Sequence, residues 1–249
     1  MGVKVVITRS GARTPGAPAL LCLPGTMCDP VIFDGLAEAT GTDVLVAPWL
    51  EWPGPHEVAR LGERVAETAA EHGPVVLLGH STGAVIALCA ALHDRASHAP
   101  AVRGVLCCDS GANMRGHGDV DAIIDRVARN WGPELWRAVA RRSVHLPPPA
   151  AVAELLDAYP AGLDREAVLA VLRSQRDTDL LPRLGELAGL PALVVHGRFD
   201  TARTPEHARE LARALDAPEP VLLECGHTPP VELPAEFGAA VAAFLQRLS

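Results

Sequence analysis

The stretch Gly79-His80-Ser81-Thr82-Gly83 constrains this chain more than any other. It follows the apolar run Val75-Val76-Leu77-Leu78 and precedes Ala84-Val85-Ile86-Ala87-Leu88-Cys89-Ala90-Ala91. The first run is short and continuous, so it reads as a strand buried on both faces; the second reads as a helix. A strand that becomes a helix across this stretch must turn sharply. Glycines on both sides of Ser81 remove Cβ atoms where helix and strand close on each other. The serine between them is then lifted off the sheet into unfavourable backbone space, with the N–H groups of the new helix directed at it. A hydroxyl in that place is a candidate nucleophile.

The rest of the chain repeats the same alternation. Strands are expected at Val3–Thr8, Ala19–Leu23, Val44–Ala47, Val75–Leu78, Val102–Cys107, Ala192–His196 and Val221–Leu223. Helices are expected between them at Val31–Ala39, Glu57–Glu71, Ala84–His93, Pro205–Leu215 and Pro234–Arg247. Glu57–Glu71 places Val58, Leu61, Val65 and Ala69 on one stripe, with Arg60, Glu63, Arg64 and Glu67 outside it. Such βαβ alternation implies an α/β fold: an open, mostly parallel sheet with helices on both sides. The rhythm breaks between Asp109 and Leu190, a stretch too long for a simple crossover. Helical patterns there lie near Val120–Asn130, Pro133–Arg142, Ala150–Ala158 and Arg165–Asp177, separated by Trp131-Gly132-Pro133, Pro147-Pro148-Pro149 and Tyr159-Pro160-Ala161-Gly162. Residues 1–110 and 179–249 are therefore expected to form the core, and 111–178 a helical cap inserted over the strand ends.

Composition narrows the function classes. With 249 residues, 49% of them hydrophobic, the chain can bury a large core as one domain with an insertion. The net charge is −8, Lys4 is the single lysine, and the arginines are scattered, which excludes a basic stripe for nucleic acid. No apolar run has the length of a membrane span and no secretory leader is visible. The six cysteines form no C-x-x-C pair and no metal-ligand spacing, so a reduced, cytoplasmic protein without structural disulfides is expected; no H-x-x-x-H or carboxylate cluster points to a metal, and no cofactor is expected.

A serine hydroxyl needs a base within hydrogen-bond reach, and the base needs an acid to orient it. In open α/β sheets both are supplied by loops at the carboxyl ends of later strands. Two loops qualify. Ala192-Leu193-Val194-Val195-His196-Gly197-Arg198-Phe199-Asp200 is an apolar strand followed by an acid, and Val221-Leu222-Leu223-Glu224-Cys225-Gly226-His227 is a strand followed by a histidine. The chain order is thus Ser81, Asp200, His227. Asp109, which ends the strand Val105-Leu106-Cys107-Cys108, is the rival acid.

In these motifs and their order, and in the Pro24-Gly25-Thr26 loop after an early strand, the chain resembles the α/β-hydrolase superfamily. The resemblance implies that Ser81 attacks an acyl carbon, that His227 moves the proton, and that Asp200 fixes the imidazole. It implies an oxyanion hole from the N–H of Thr82 and that of Thr26, with Met27 the neighbouring alternative. The early loop reads Leu-Pro-Gly-Thr where many relatives have His-Gly. Pocket candidates are Met27, His80, Met114, Trp131 and Trp136, with Asn113 and Arg115 beside Met114. His196 reads as structural, and His117 and His145 lie in the cap. The implied partner is a small-molecule acyl substrate, with no nucleic acid and no membrane. The implied reaction is hydrolysis of a small, apolar ester, thioester or lactone through an acyl-enzyme. The same fold also hosts lyases, cyclases, C–C bond-cleaving enzymes and acyltransferases, and an intact Ser/Asp/His set argues against a non-catalytic receptor.

Overall fold

The computed structural model describes residues 6–8 and 17–248. Its strands are β1 (Val6–Thr8), β2 (Ala19–Leu23), β3 (Val44–Val46), β4 (Val75–His80), β5 (Val102–Cys108), β6 (Ala192–Gly197) and β7 (Val221–Leu223). Its helices are α1 (Leu36–Thr40), α2 (Val58–His72), α3 (Thr82–Arg95), α4 (Val120–Asn130), α5 (Pro133–Arg142), α6 (Ala150–Ala158), α7 (Arg165–Arg176), α8 (Pro205–Ala214), α9 (Pro229–Glu232) and α10 (Pro234–Gln246). The strands form one sheet in the order β1-β3-β2-β4-β5-β6-β7. β1 runs antiparallel to β3, and every other neighbouring pair is parallel. Residues 3–5 of the expected first strand lie outside the described residues.

Side-chain alternation along these strands builds two apolar layers, one on each face of the sheet. Leu21, Leu23, Val75, Leu77, Val105, Cys107 and Val194 share a core with residues of α2, α3 and α8. The intervening Leu20, Cys22, Val76, Leu78, Leu106, Cys108, Leu193 and Val195 face the other way, toward α1 and α10. This double burial is why the strands read as continuous apolar runs instead of alternating ones. Helix α3 is apolar nearly all round because α2 covers the side that the sheet does not.

The expected helix Val31–Ala39 is a correction. The structure has a 3₁₀ turn at Pro30–Phe33, then α1, because Gly35 sits at φ 84° and breaks the helical run after Asp34. Helix α3 starts at Thr82, two residues earlier than its apolar run suggests, because the turn ends at Ser81 itself. Helices α4 to α7 fall between β5 and β6. Ile124, Val127, Leu135, Ala167, Val168 and Val171 join the core that α2 and α3 share, and the Ser174 hydroxyl accepts a hydrogen bond from the Val58 N–H at 3.0 Å. No helix among the described residues is long and apolar enough to cross a membrane.

The chain runs from β2 outward to β3, then returns to place β4 on the other side of β2. Loops at the carboxyl ends of β2 and β4 therefore diverge, and the crevice between them is where an open α/β sheet binds its ligands. The Gly25 loop and Ser81 lie at that switch point.

Candidate active site

Ser81 has φ 54° and ψ −119°, a conformation that costs an L-residue about 1–3 kcal/mol. The surroundings hold it there. Its N–H donates to the Cys108 carbonyl at 2.8 Å, and its own carbonyl accepts from the Ser110 hydroxyl at 2.9 Å. Gly83 makes the turn sterically feasible: a Cβ there would lie 2.1 Å from the Leu23 carbonyl oxygen. That oxygen belongs to the backbone of β2 and cannot step aside. Gly83→Ala is accordingly expected to lower stability by about 4 kcal/mol or more, read as a shift in the urea unfolding midpoint.

His227 follows β7, and its Nε2 lies 3.0 Å from Ser81 Oγ. Its Nδ1 lies 2.7 Å from Asp200 Oδ2. Because a carboxylate only accepts, Nδ1 carries the proton and Nε2 is left as the acceptor facing the serine. Asp200 is held in turn by the N–H groups of Ala202 and Arg203, which donate to its Oδ1 at 2.7 and 3.0 Å. Burial pushes this carboxyl up, but His227 and the Arg203 N–H outweigh it and bring it down to about 2.

Asp109 lies behind this pair, fully buried, with φ 48°. Ligand atoms of Asp109, Asp200 and His227 all lie within 4.8 Å of one another. The Gly197 N–H donates to Asp109 Oδ1 at 2.9 Å and the Cys108 thiol approaches Oδ2 at 3.1 Å. Burial, then the charge of Asp200, pushes the Asp109 carboxyl well above its ordinary value. Asp200 is thus the acid that touches the imidazole, and Asp109 binds the backbone at the end of β6. His196 is fully buried, bonded through Nε2 to the Arg203 carbonyl at 3.1 Å. Burial lowers its pKa, and it stays neutral.

Two further groups position His227, and sequence reading placed only one of them near the site. His80 Nε2 donates to the His227 carbonyl at 2.7 Å. Burial and the neighbouring His227 lower the His80 pKa to about 3, so it serves as a neutral donor. Glu232, at the end of α9, accepts from the N–H groups of Gly226 and Thr228, on either side of His227, at 3.0 and 3.1 Å. Its second oxygen accepts from the N–H groups of His145 and Leu146, each at 2.7 Å. Glu232 stands in a Pro-Pro-Val-Glu run whose helical turn is too short to show a period.

The Gly25 loop abuts the serine closely: a Cβ on Gly25 would lie 3.1 Å from Ser81 Cβ. Met27 in this turn has φ 63°. The Thr26 hydroxyl donates to Thr82 Oγ1 at 2.8 Å, and the Thr82 hydroxyl donates to Gln175 Oε1 at 2.9 Å. This chain ties the early loop, the start of α3 and the end of α7 into one unit. The main-chain N–H groups of Thr26, Met27 and Thr82 form no backbone hydrogen bond among the described residues.

The family model described as "Alpha/beta hydrolase family" matches residues 20–240. The chain belongs to that family. The sheet order, the switch point and the helices on both faces agree with it. Several solved structures share the fold. An enol-lactonase from Burkholderia xenovorans LB400 superposes with a TM-score of 0.83 at 21% identity, covering 98% of this chain and 97% of that one. A hydrolase from Pseudomonas aeruginosa PA01 gives 0.78 at 24% identity, with 97% and 93% covered. MenH from S. aureus gives 0.78 at 16% identity, with 100% and 99% covered. Comparison with curated protein sequences returns no match.

In this alpha/beta hydrolase a cavity of about 230 Å³ opens above Ser81. Met27, His80, Met114 and Trp136 line it, as does His227. Trp131 is a correction: it packs edge-on against Trp136 with ring centroids 5.5 Å apart and does not line the cavity. Asn113 and Arg115 also turn away from it, both bonded to Asp179, and only Met114 of that trio faces the cavity. Gln175 and Arg203 line the cavity without having been nominated from sequence. Gln175 is the inward residue of the last turn of α7, and Arg203 follows Asp200 in the same loop. A polar residue on the otherwise apolar inner face of α7 was the available signal for the first.

Proposed function

We propose that this alpha/beta hydrolase is a serine hydrolase. It cleaves a small ester, thioester or lactone with an apolar body through an acyl-enzyme. The observation that carries the reading is the continuous run Ser81 Oγ, His227 Nε2, His227 Nδ1, Asp200 Oδ2, with spacings of 3.0 and 2.7 Å on either side of the ring. Both distances are within reach for proton transfer and orientation.

In the first step Ser81 Oγ attacks the acyl carbon while its proton passes to His227 Nε2. Asp200 holds Nδ1–H and stabilises the imidazolium that results. The N–H of Thr82, with those of the Thr26-Met27 turn, receives the charge that grows on the acyl oxygen. His227 then gives its proton to the departing alcohol, thiol or ring oxygen. Water repeats the sequence from the same side, delivering its proton to His227 and releasing the acid and Ser81. An enol-lactonase and an esterase are among the solved structures with this fold, which agrees with acyl chemistry at such a site. Met27, Leu135, Trp136, Val139 and Leu172 give the cavity apolar walls suited to an apolar substrate body.

Fluorophosphonate labelling followed by peptide mass spectrometry tests the reading. The label is expected on the peptide carrying Ser81, absent in Ser81→Ala and reduced in His227→Ala. A folded protein that takes no label overturns it. Turnover in ¹⁸O water is expected to place solvent oxygen in the product acid; its absence would mean elimination, cyclisation or transfer instead.

A further inference from the structure

The cavity above Ser81 carries a charge pattern that acyl chemistry alone does not use. The whole chain is acidic, with a net charge of −8. Yet Arg126, Arg142 and Arg203 line this cavity, and no aspartate or glutamate does. Arg203 is only 3% exposed. Its Nη1 donates to the Asn113 carbonyl at 2.8 Å and its Nη2 lies 2.7 Å from Met114 Sδ, neither of them a charge. Burial lowers its pKa to about 10, with Asp200 opposing, so it remains cationic at neutral pH. Asp200, the anion acting on it, is already committed to His227. No salt bridge forms to any of the three arginines among the described residues. Arg126, on α4, and Arg142, at the end of α5, are exposed to solvent, whereas Arg203 is buried.

Arg203, a buried guanidinium without a paired carboxylate, is expensive to keep, and the two exposed arginines add like charge around the same cavity. A ligand anion removes both costs at once, and a guanidinium fork matches a carboxylate in shape as well as charge. We infer that the substrate carries a carboxylate in addition to its scissile acyl group. Arg203 meets that carboxylate inside the cavity, while Arg126 and Arg142 draw it in from solvent. This rests on the acyl-hydrolase reading and names the substrate class within it: an ester, thioester or lactone with an apolar body and one anionic end.

The test compares monobenzyl glutarate with benzyl methyl glutarate, which differ in the free carboxylate. Turnover is measured with the wild-type enzyme, and binding is measured by calorimetry with Ser81→Ala. The anionic ester is expected to be preferred by about tenfold or more in kcat/KM and in affinity, the scale of one charge-assisted hydrogen bond. High salt is expected to shrink the preference, because the two exposed arginines are screened. Arg203→Met is expected to reduce the ratio of the two substrates by about tenfold. The exposed pair change Arg126→Gln with Arg142→Gln, which does not touch the core, is expected to reduce it severalfold. A wild-type ratio near one, or a ratio that neither variant moves, overturns the inference. Equal turnover of both esters leaves the hydrolase reading standing and removes the anion site. Selective binding of the anionic ester with no turnover and no label on Ser81 does the reverse.

Discussion

Replacing Ser81 by alanine is expected to lower kcat by about 10⁶-fold, the loss seen when a serine nucleophile is removed from a working triad. The structure makes this a clean substitution. Serine and alanine face the same backbone cost at φ 54°, and the bonds that hold the residue, to Cys108 and from Ser110, use main-chain atoms. The Oγ bond to His227 Nε2 is what disappears. The donors of Thr26, Met27 and Thr82 remain, so a residual rate of about 10³–10⁴ over water is expected. Steady-state kinetics with active-site titration, to subtract traces of wild type, measures the drop. A loss below about tenfold would place the reaction on another group.

Asp200→Asn is expected to lower kcat by about 10⁴-fold, because an amide beside Nδ1 favours the wrong imidazole tautomer. Asp109→Asn is expected to cost no more than about tenfold, the scale of one neutral hydrogen bond. The two acids also leave opposite marks on stability. Asp200 is held at about 2 in the folded state, below its unfolded value of about 3.9. The stability it contributes is present above about pH 3.9 and is lost as pH falls toward 2. Asp109 is raised. Above about pH 3.9 the unfolded chain releases its proton while the folded chain keeps it, so this acid costs increasing stability as pH rises. Asp109→Asn removes that cost, and urea unfolding is expected to show it gaining on wild type as pH rises above about 3.9. A larger kcat loss in Asp109→Asn than in Asp200→Asn would move the orienting role to the end of β5.

What the sequence made legible was whatever is set within a dozen residues. Ser81, Asp200 and His227 could each be nominated because each directly follows an apolar strand, and strand order then brings the three loops to one crevice. Asp200 ranks ahead of Asp109 by its place after a later strand, but contact with His227, which distinguishes the two acids, is fixed by how the loops after β6 and β7 meet. Trp131 and Trp136 looked equivalent at their spacing; which one faces the cavity depends on the angle between α4 and α5. Gln175 and Arg203 were passed over because their partners, Thr82 and Asn113, lie about ninety residues away. The helix expected at Val31–Ala39 failed for a local reason, the positive φ of Gly35.

The carboxylate of Glu232 grips the segment at His145 and Leu146 with one hand and both neighbours of His227 with the other. The Thr228 hydroxyl adds a second tether, to the Ser143 carbonyl. One carboxylate thus serves two segments at once, so a change at Glu232 reaches both the stretch after α5 and the aim of the imidazole.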